Sequence, residues 1–392
     1  EMCIRDRVYG GATFCSWYPI TPSTSVAEGF EKYASKYRVD PQTGKNNYIS
    51  VQAEDELAAV GMAIGANWNG ARGFTATSGP GISLMSEFLG LAYFAEVPLV
   101  IFNIQRGGPS TGMPTRTQQS DILSCAYASH GDTKHVLLFP EDPQECFEFS
   151  AEAFNLAERL QTPVFVISDL DIGMNDWVTD KFEWDDEQKY DRGKVLKAED
   201  LDKMDSFGRY LDVDDDGICY RTYPGTHPEK GAFFTRGTSH DEYARYTENG
   251  DINEQTLTRL VKKFRTASEL VPDPIINLSE KQGSSGVIFY GSTSAAMYEA
   301  KDILNENNIE VDLMRIRSFP FNLDVWEFIE NHDLIYVIEQ NRDSQMRTLI
   351  MAEGGISAEK LRSLVWFNGD PIQAKFIAKK IYERESQQAL IT

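Results

Sequence analysis

The chain has 392 residues, of which 41% are hydrophobic, and carries a formal net charge of −22. This length is typical of two domains with a connecting region. Binding to nucleic acid or to an anionic membrane surface requires a basic face. Because the chain is so acidic, we expect neither as a partner.

The cysteines are scattered without any C-x-x-C pair, so the sequence contains neither a structural zinc motif nor an iron–sulfur motif. The N-terminus lacks the order of a signal peptide, and no long apolar run predicts a membrane span. We therefore expect reduced thiols and a cytoplasmic protein. The five cysteines are Cys3, Cys15, Cys125, Cys146 and Cys219.

Residues 1–7 show no periodicity and join abruptly onto Gly10-Gly11, so we interpret them as a cloning or assembly artefact. From residue 8 to about 172, apolar strand-like runs alternate with helical patterns, which is typical of a parallel α/β sheet with helices on both faces. Ligands of such sheets bind at the carboxyl ends of the strands. The predicted strands lie near 48–51, 73–77, 98–103, 134–138 and 163–167.

The composition changes near residue 175, and three regions follow. We predict a first α/β domain at 8–175, an irregular acidic connecting region at 176–283, and a second α/β domain at 284–392. The second begins with the strand Gly286–Tyr290 and continues with alternating helices and strands.

Glu54 follows a predicted strand and precedes a helix of small residues. A carboxylate buried among Ala, Val, Ile and Met needs a hydrogen-bonding partner, so we expect Glu54 to be buried and to form half of a cofactor site. The alternative is an acidic first helical turn favoured by the helix dipole, which explains Asp55 and Glu56 better than Glu54.

Two further segments carry candidate binding groups. The Tyr18–Thr24 loop is made rigid by two prolines, and its hydroxyls can bind an anion or merely cap the next helix. Arg106 follows a strand beside glycines and can bind a carboxylate through both nitrogens of its guanidinium, although a surface ion pair is the commoner role.

The glycine-rich segments do not match nucleotide-binding motifs. In Thr75–Gly81 the third glycine of a dinucleotide fingerprint is missing, and Leu84 occupies its place. Gly107–Gly112 has the glycine spacing of a P-loop, but Met113 stands where the lysine belongs. The histidines and serines form no metal-hydrolase or serine-hydrolase motif.

Together these segments resemble the alpha subunit of 2-oxoacid:ferredoxin oxidoreductases, most nearly the 2-oxoglutarate type. The resemblance covers nearly the whole chain after residue 8. The segments that carry it are Tyr18–Pro22, Gln52–Glu56, Thr75–Gly81, Gln105–Gly112, Phe207–Tyr210, Tyr243–Tyr246 and Arg315–Pro320.

The resemblance implies a thiamine-diphosphate-binding fold, with a pyrimidine-binding first domain and a second domain like the carboxy-terminal domain of transketolase. It implies that Glu54 hydrogen-bonds N1′ of the aminopyrimidine and so acts in catalysis. Thr21 and Arg106 would bind the substrate, and Pro19 and Ile20 would contact the cofactor. The reaction would convert a 2-oxoacid and coenzyme A to acyl-CoA and CO2, with electrons passing to ferredoxin.

The family's magnesium motif and cluster ligands do not occur in this chain. The resemblance therefore implies a beta subunit that binds Mg2+ and a [4Fe-4S] cluster and shares the thiamine diphosphate, and no metal site on this chain. Relatives often carry a further domain before the Tyr18–Pro22 segment, which suggests a truncated or differently split gene. The open alternatives are a pyruvate, branched-chain or aryl-pyruvate enzyme, and a non-catalytic assembly subunit.

Overall fold

The computed structural model describes residues 8–183, 185, 187, 189–279 and 285–389, with side chains to Ser386. The residues interpreted as an artefact, 1–7, lie outside this part. Among the helices described, none combines the length and the apolar character that crossing a membrane would need.

The strands and helices alternate along most of the described chain. The strands are β1 (Phe14–Trp17), β2 (Ile49–Gln52), β3 (Gly73–Thr77), β4 (Leu99–Gln105), β5 (Val136–Leu138), β6 (Pro163–Asp169), β7 (Ile275–Asn277), β8 (Ser285–Tyr290), β9 (Asp312–Ile316), β10 (Ser318–Phe319), β11 (Leu334–Glu339) and β12 (Leu361–Val365). The helices are α1 (Thr24–Tyr37), α2 (Glu56–Trp68), α3 (Gly79–Phe94), α4 (Ile122–Ala126), α5 (Pro143–Leu160), α6 (Leu170–Met174), α7 (Ala198–Asp202), α8 (Gly250–Ala267), α9 (Thr293–Glu306), α10 (Leu323–Glu330), α11 (Gln345–Gly354) and α12 (Ala374–Ala389).

The strands form two sheets. The first has the order β10-β5-β6-β4-β3-β1-β2 and is parallel except for β10. The second has the order β12-β11-β8-β9-β7 and is parallel except for β7. Every residue of β3, β4 and β6 is buried, as expected of strands that are covered by helices on both faces. The predicted α/β architecture is confirmed.

Several elements differ from the sequence-based expectations. The strand β1 was not predicted, although it lies between β2 and β3 in the first sheet. The region predicted to be irregular contains the 18-residue helix α8 and the strand β7, which pairs with β9. Short strands and amphipathic helices in polar surroundings give weak sequence signals, because tertiary packing rather than local propensity stabilises them.

The two sheets are joined by a buried ionic cluster at the start of α5. Arg315, which is 1% exposed, donates to both carboxylate oxygens of Glu145 at 2.5 and 2.8 Å. Arg317 donates to the same carboxylate at 2.8 Å. Burial would raise the pKa of Glu145, but the two guanidinium groups outweigh it and hold that pKa below its usual value. We call residues 285–389 the C-terminal unit, and this cluster ties it to α5.

Replacing Arg315 with Met should therefore lower the free energy of unfolding by about 3 kcal/mol, since Glu145 would lose the more buried of its two guanidinium partners and keep only Arg317. Urea unfolding followed by circular dichroism measures this change. Lys379→Ala is the control, because Lys379 makes only an exposed pair with Glu383 and should change stability by less than about 1 kcal/mol. Equal midpoints for the two variants would contradict a structural role for the cluster.

Candidate functional site

The carboxyl ends of β1, β2, β3 and β4 lie along one edge of the first sheet, because these strands are parallel neighbours. The segments after them begin at Tyr18, Ala53, Ser78 and Arg106. This is the edge where open α/β sheets bind ligands. The fold therefore brings together the segments that the sequence analysis selected. We call this edge of the first sheet the carboxyl edge.

Glu54 lies at this edge but is exposed, so the expectation that this chain buries it is wrong. The amide of Ala53 donates to the Trp17 carbonyl at 2.8 Å, which holds the ends of β1 and β2 together. β2 is the last strand of its sheet, and no further described strand covers Glu54. Asp55 caps α2 by accepting from the Ala58 amide at 2.7 Å, and Glu56 is the buried acid.

The loop between β1 and α1 presents a mixed surface beside Glu54. Pro19 and Thr21 are exposed and Ile20 is half-buried. The Ile20 amide donates to the Thr24 hydroxyl at 3.0 Å, and the Ser23 hydroxyl donates to the Ile20 carbonyl at 3.1 Å. The hydroxyls of Ser23 and Thr24 thus stabilise the loop, and Thr21 remains open to solvent.

Arg106 is 8% exposed, and one of its terminal nitrogens, Nη1, donates to the Thr21 carbonyl at 2.7 Å. Its Nε is buried and has no hydrogen-bond partner among the described residues. No ion pair joins Arg106 to an acidic side chain in this part of the chain. A buried guanidinium with an unused donor is suited to an anionic ligand, since a buried hydrogen-bonding group without a partner is unfavourable.

A half-buried acid, Asp121, lies near Arg106 and was missed in the sequence analysis. Its Oδ2 accepts from the Asn103 side chain at 3.1 Å, and its amide donates to Gln105 Oε1 at 2.9 Å. Burial raises the pKa of Asp121 to about 6, although the Asn103 hydrogen bond and the Arg106 charge oppose this increase. Asn103 and Gln105 occupy alternate positions of an otherwise apolar strand, which is the signal that could have indicated this cluster.

Two other polar atoms at the carboxyl edge are buried without a partner among the described residues, namely Ser78 Oγ and Asn103 Oδ1. Next to them, Gly79 and Gly81 begin α3, and a Cβ on Gly81 would lie 1.9 Å from Thr77 Oγ1. The edge therefore offers an exposed carboxylate, a buried guanidinium and unsatisfied hydrogen-bonding groups. A ligand that matches these groups would place an N–H donor near Glu54 and a carboxylate near Arg106.

The carboxyl edge is open rather than enclosed. A cavity of about 900 Å3 lies elsewhere, between α5 and residues 178–183. Neither Glu54 nor Arg106 lines it. No group of three or more potential metal ligands occurs in the described residues. The edge thus has the character of half a site, which a second protein surface would complete.

Comparison with known proteins identifies a family for most of the chain. The family model described as pyruvate flavodoxin/ferredoxin oxidoreductase, thiamine diphosphate-binding, matches residues 7–265. The chain is 36% identical over 93% of its length to the alpha subunit of 2-oxoacid:ferredoxin oxidoreductase 1 of Sulfurisphaera tokodaii, and spans 57% of that protein. It is 34% identical over 87% of its length to the 2-oxoglutarate synthase subunit KorA of Methanothermobacter thermautotrophicus, and spans 86% of that protein.

Two solved structures show the same architecture. The 2-oxoglutarate:ferredoxin oxidoreductase of Magnetococcus marinus, with 2-oxoglutarate, coenzyme A and succinyl-CoA bound, matches 97% of this chain and 63% of its own chain at a TM-score of 0.87 and 28% identity. A split-gene transketolase matches 97% of this chain and 96% of its own at a TM-score of 0.54 and 10% identity, which shows the fold alone. The predicted thiamine-diphosphate-binding, transketolase-like fold is confirmed.

The raised pKa of Asp121 predicts a specific pH dependence of stability. Because its pKa is about 6 in the folded chain against an ordinary value of 3.8, the wild type should be most stable relative to Asp121→Asn below pH 4. This advantage should fall by roughly 3 kcal/mol as the pH rises through 6 and then level off. Urea unfolding of both proteins between pH 4 and 8 measures it, and a difference independent of pH would contradict the prediction.

Proposed function

Because this chain belongs to the pyruvate flavodoxin/ferredoxin oxidoreductase family, we propose that it is the alpha subunit of a 2-oxoglutarate:ferredoxin oxidoreductase. Such an enzyme would convert 2-oxoglutarate and coenzyme A to an acyl-CoA and CO2 and pass electrons to ferredoxin. The observation that carries the proposal is a buried, unpaired Arg106 at the same sheet edge as the exposed carboxylate of Glu54. Resemblance to the 2-oxoglutarate synthase subunit and to the Magnetococcus enzyme supports this substrate.

Glu54 would accept a hydrogen bond from N1′ of the aminopyrimidine of thiamine diphosphate, while Pro19 and Ile20 pack against the cofactor. When bound, this cofactor supplies the carbanion chemistry that decarboxylates 2-oxoacids. Polarisation of the aminopyrimidine requires an ionised Glu54 in a site free of water. Since this chain leaves Glu54 exposed, that function depends on a covering surface from another subunit.

Arg106 would hold the carboxylate next to the 2-oxo group, and Thr21 would line the same position. The Thr21 carbonyl already occupies one nitrogen of the guanidinium, and the unpartnered Nε leaves donor capacity for a substrate oxygen. Asp121 lowers the positive potential there once it ionises. The carboxylate is common to 2-oxoglutarate, pyruvate and branched-chain 2-oxoacids, so Arg106 positions the substrate but does not distinguish among them.

The covering surface would belong to a beta subunit that holds Mg2+, the diphosphate and a [4Fe-4S] cluster. This beta subunit would dock on the face of α2 and α3 next to Glu54, where Leu57 is 38% and Leu84 is 51% exposed. Gly61 of α2 lets Phe88 of α3 pack closely, since a Cβ there would lie 3.2 Å from the Phe88 ring. The two packed helices thus each expose an apolar side chain, Leu57 and Leu84.

The cysteine environment supports a cytoplasmic location. Cys125 and Cys219 are free thiols, and both are buried. Burial raises the pKa of the Cys219 thiol to about 12, which keeps it protonated and unreactive at neutral pH. Thiols in this state are typical of proteins that function in a reducing compartment.

Substituting Glu54 with Gln should lower the rate of 2-oxoglutarate-dependent viologen reduction by at least about 100-fold in enzyme assembled with the beta subunit, because the amide cannot act as the anionic acceptor. Glu28→Gln, an exposed acid on α1, is the matched control. Full activity of the Glu54 variant would remove the catalytic role and favour an assembly subunit.

Introducing a charge on the α2/α3 face should prevent assembly. Leu84→Asp should abolish co-purification with the beta subunit, since an uncompensated carboxylate would be buried in the interface. Leu323→Asp, at a site 67% exposed on α10, should assemble normally. Size-exclusion chromatography of the co-expressed subunits provides the measurement, and a stable Leu84→Asp complex would place the interface elsewhere.

A further inference from the structure

An extended segment connects the substrate side of the carboxyl edge to the C-terminal unit. This segment, residues 117–121, is called the strap here. The Thr117 amide donates to the Gly369 carbonyl at 3.1 Å and the Gln119 amide to the Gln340 carbonyl at 2.8 Å. At the next position, the Ser120 carbonyl accepts from the Gln345 side chain at 2.6 Å. The C-terminal unit therefore holds the strap along most of its length.

The Gln119 side chain anchors the middle of the strap in a buried polar cluster. Its Nε2 donates to Asp169 Oδ2 at 3.2 Å and to the Ser292 hydroxyl at 3.3 Å. The Ser292 hydroxyl donates to the same Asp169 oxygen at 2.6 Å and accepts from Gln340 Nε2 at 2.9 Å. All four residues are at most 4% exposed, so the cluster has little freedom to rearrange.

The other end of the strap holds the residues on both sides of Arg106. The Asp121 amide donates to Gln105 Oε1 at 2.9 Å, and the Gln105 side chain also donates to the Ser168 carbonyl at 3.4 Å. On the far side of Arg106, the Gly108 amide donates to Gln118 Oε1 at 3.1 Å. The backbone at Arg106 is thus fixed through hydrogen bonds made by the strap.

We propose that the C-terminal unit positions the substrate-binding Arg106 through the strap, with Ser292 and Gln119 as positioning residues. This proposal rests on the proposed function, because it takes Arg106 as the group that binds the 2-oxoacid carboxylate. The proposal gives a role to the C-terminal unit, which contains none of the residues assigned to cofactor or substrate binding.

Positioning of this kind has a measurable consequence. A bidentate guanidinium–carboxylate contact depends on distance and angle, and a displacement of about 1 Å caused far from the reacting atoms can lower the rate as much as 100-fold. Glu54 is at the other side of the carboxyl edge and makes no hydrogen bond or ion pair with the strap within the described part of the chain, so loosening the strap should affect substrate binding rather than cofactor binding.

The test uses the enzyme assembled with its beta subunit. Ser292→Ala removes the hydroxyl that joins Asp169 to Gln340, and should raise KM for 2-oxoglutarate about tenfold while the dissociation constant of thiamine diphosphate and kcat stay within about twofold of wild type. Ser292→Thr retains the hydroxyl and should restore KM. Gln345→Ala releases the strap at Ser120 and should raise KM in the same direction.

The matched control is Tyr127→Phe. It removes the 2.6 Å hydrogen bond from Tyr127 to Glu353 of the C-terminal unit but does not involve the strap. It should leave KM within about twofold of wild type even if it lowers thermal stability as much as Ser292→Ala does. If the two variants raise KM equally, or if kcat falls with KM unchanged, the effect is general loosening of the two sheets and the proposal is wrong.

Hydrogen–deuterium exchange of the isolated chain gives a readout that needs no activity. In Ser292→Ala the amides of residues 117–121 and of Gly107 and Gly108 should exchange at least about tenfold faster than in wild type, and in Tyr127→Phe they should not. Unchanged exchange in Ser292→Ala would overturn the proposal.

Arg106→Lys distinguishes the two proposals. If this variant leaves KM for 2-oxoglutarate unchanged, the proposed function of Arg106 is wrong, and the strap proposal falls with it. If Arg106→Lys raises KM but Ser292→Ala and Gln345→Ala do not, the role of Arg106 stands and only positioning by the C-terminal unit is overturned.

Discussion

The hydrogen bond from Arg106 to the Thr21 carbonyl, 2.7 Å long, is the contact on which the site depends. It joins the loop after β4 to the loop after β1, across β3, and so fixes the distance between Arg106 and the Glu54 side of the edge. It exists only because the strands are parallel and their carboxyl ends coincide. An antiparallel neighbour would carry one of these loops to the opposite edge.

Polar and charged contacts, rather than apolar packing alone, define how the C-terminal unit sits on the first sheet. The Arg315–Glu145 cluster and the Gln119–Asp169–Ser292 cluster are both buried between the sheets. Such groups are unfavourable unless every partner is in place, so they permit one arrangement of the sheets rather than many. The position of Arg106 and the orientation of the C-terminal unit therefore both depend on these buried polar contacts.

The described residues do not enclose Glu54. Glu54, Leu57 and Leu84 are all exposed. Exposure of the two leucines to water is unfavourable, and water around Glu54 would weaken its electrostatic interaction with a ligand. One covering surface would satisfy both, since it would remove the apolar area from water and exclude solvent from the carboxylate. Under the proposed function, assembly and activation of the cofactor site would be a single event.

The sequence by itself determined the α/β architecture, because buried parallel strands such as 98–103 and 163–167 leave continuous apolar runs that few other structures produce. It also selected Glu54 and Arg106 from their places after predicted strands, whereas Thr21 came from the family resemblance. Only the tertiary structure decided that Glu54 is exposed, that α8 and β7 interrupt a region expected to be irregular, and that Asp121 lies near Arg106. The reason is that periodicity reports which face of an element is apolar, whereas burial, pKa and hydrogen bonding depend on neighbours distant in the chain.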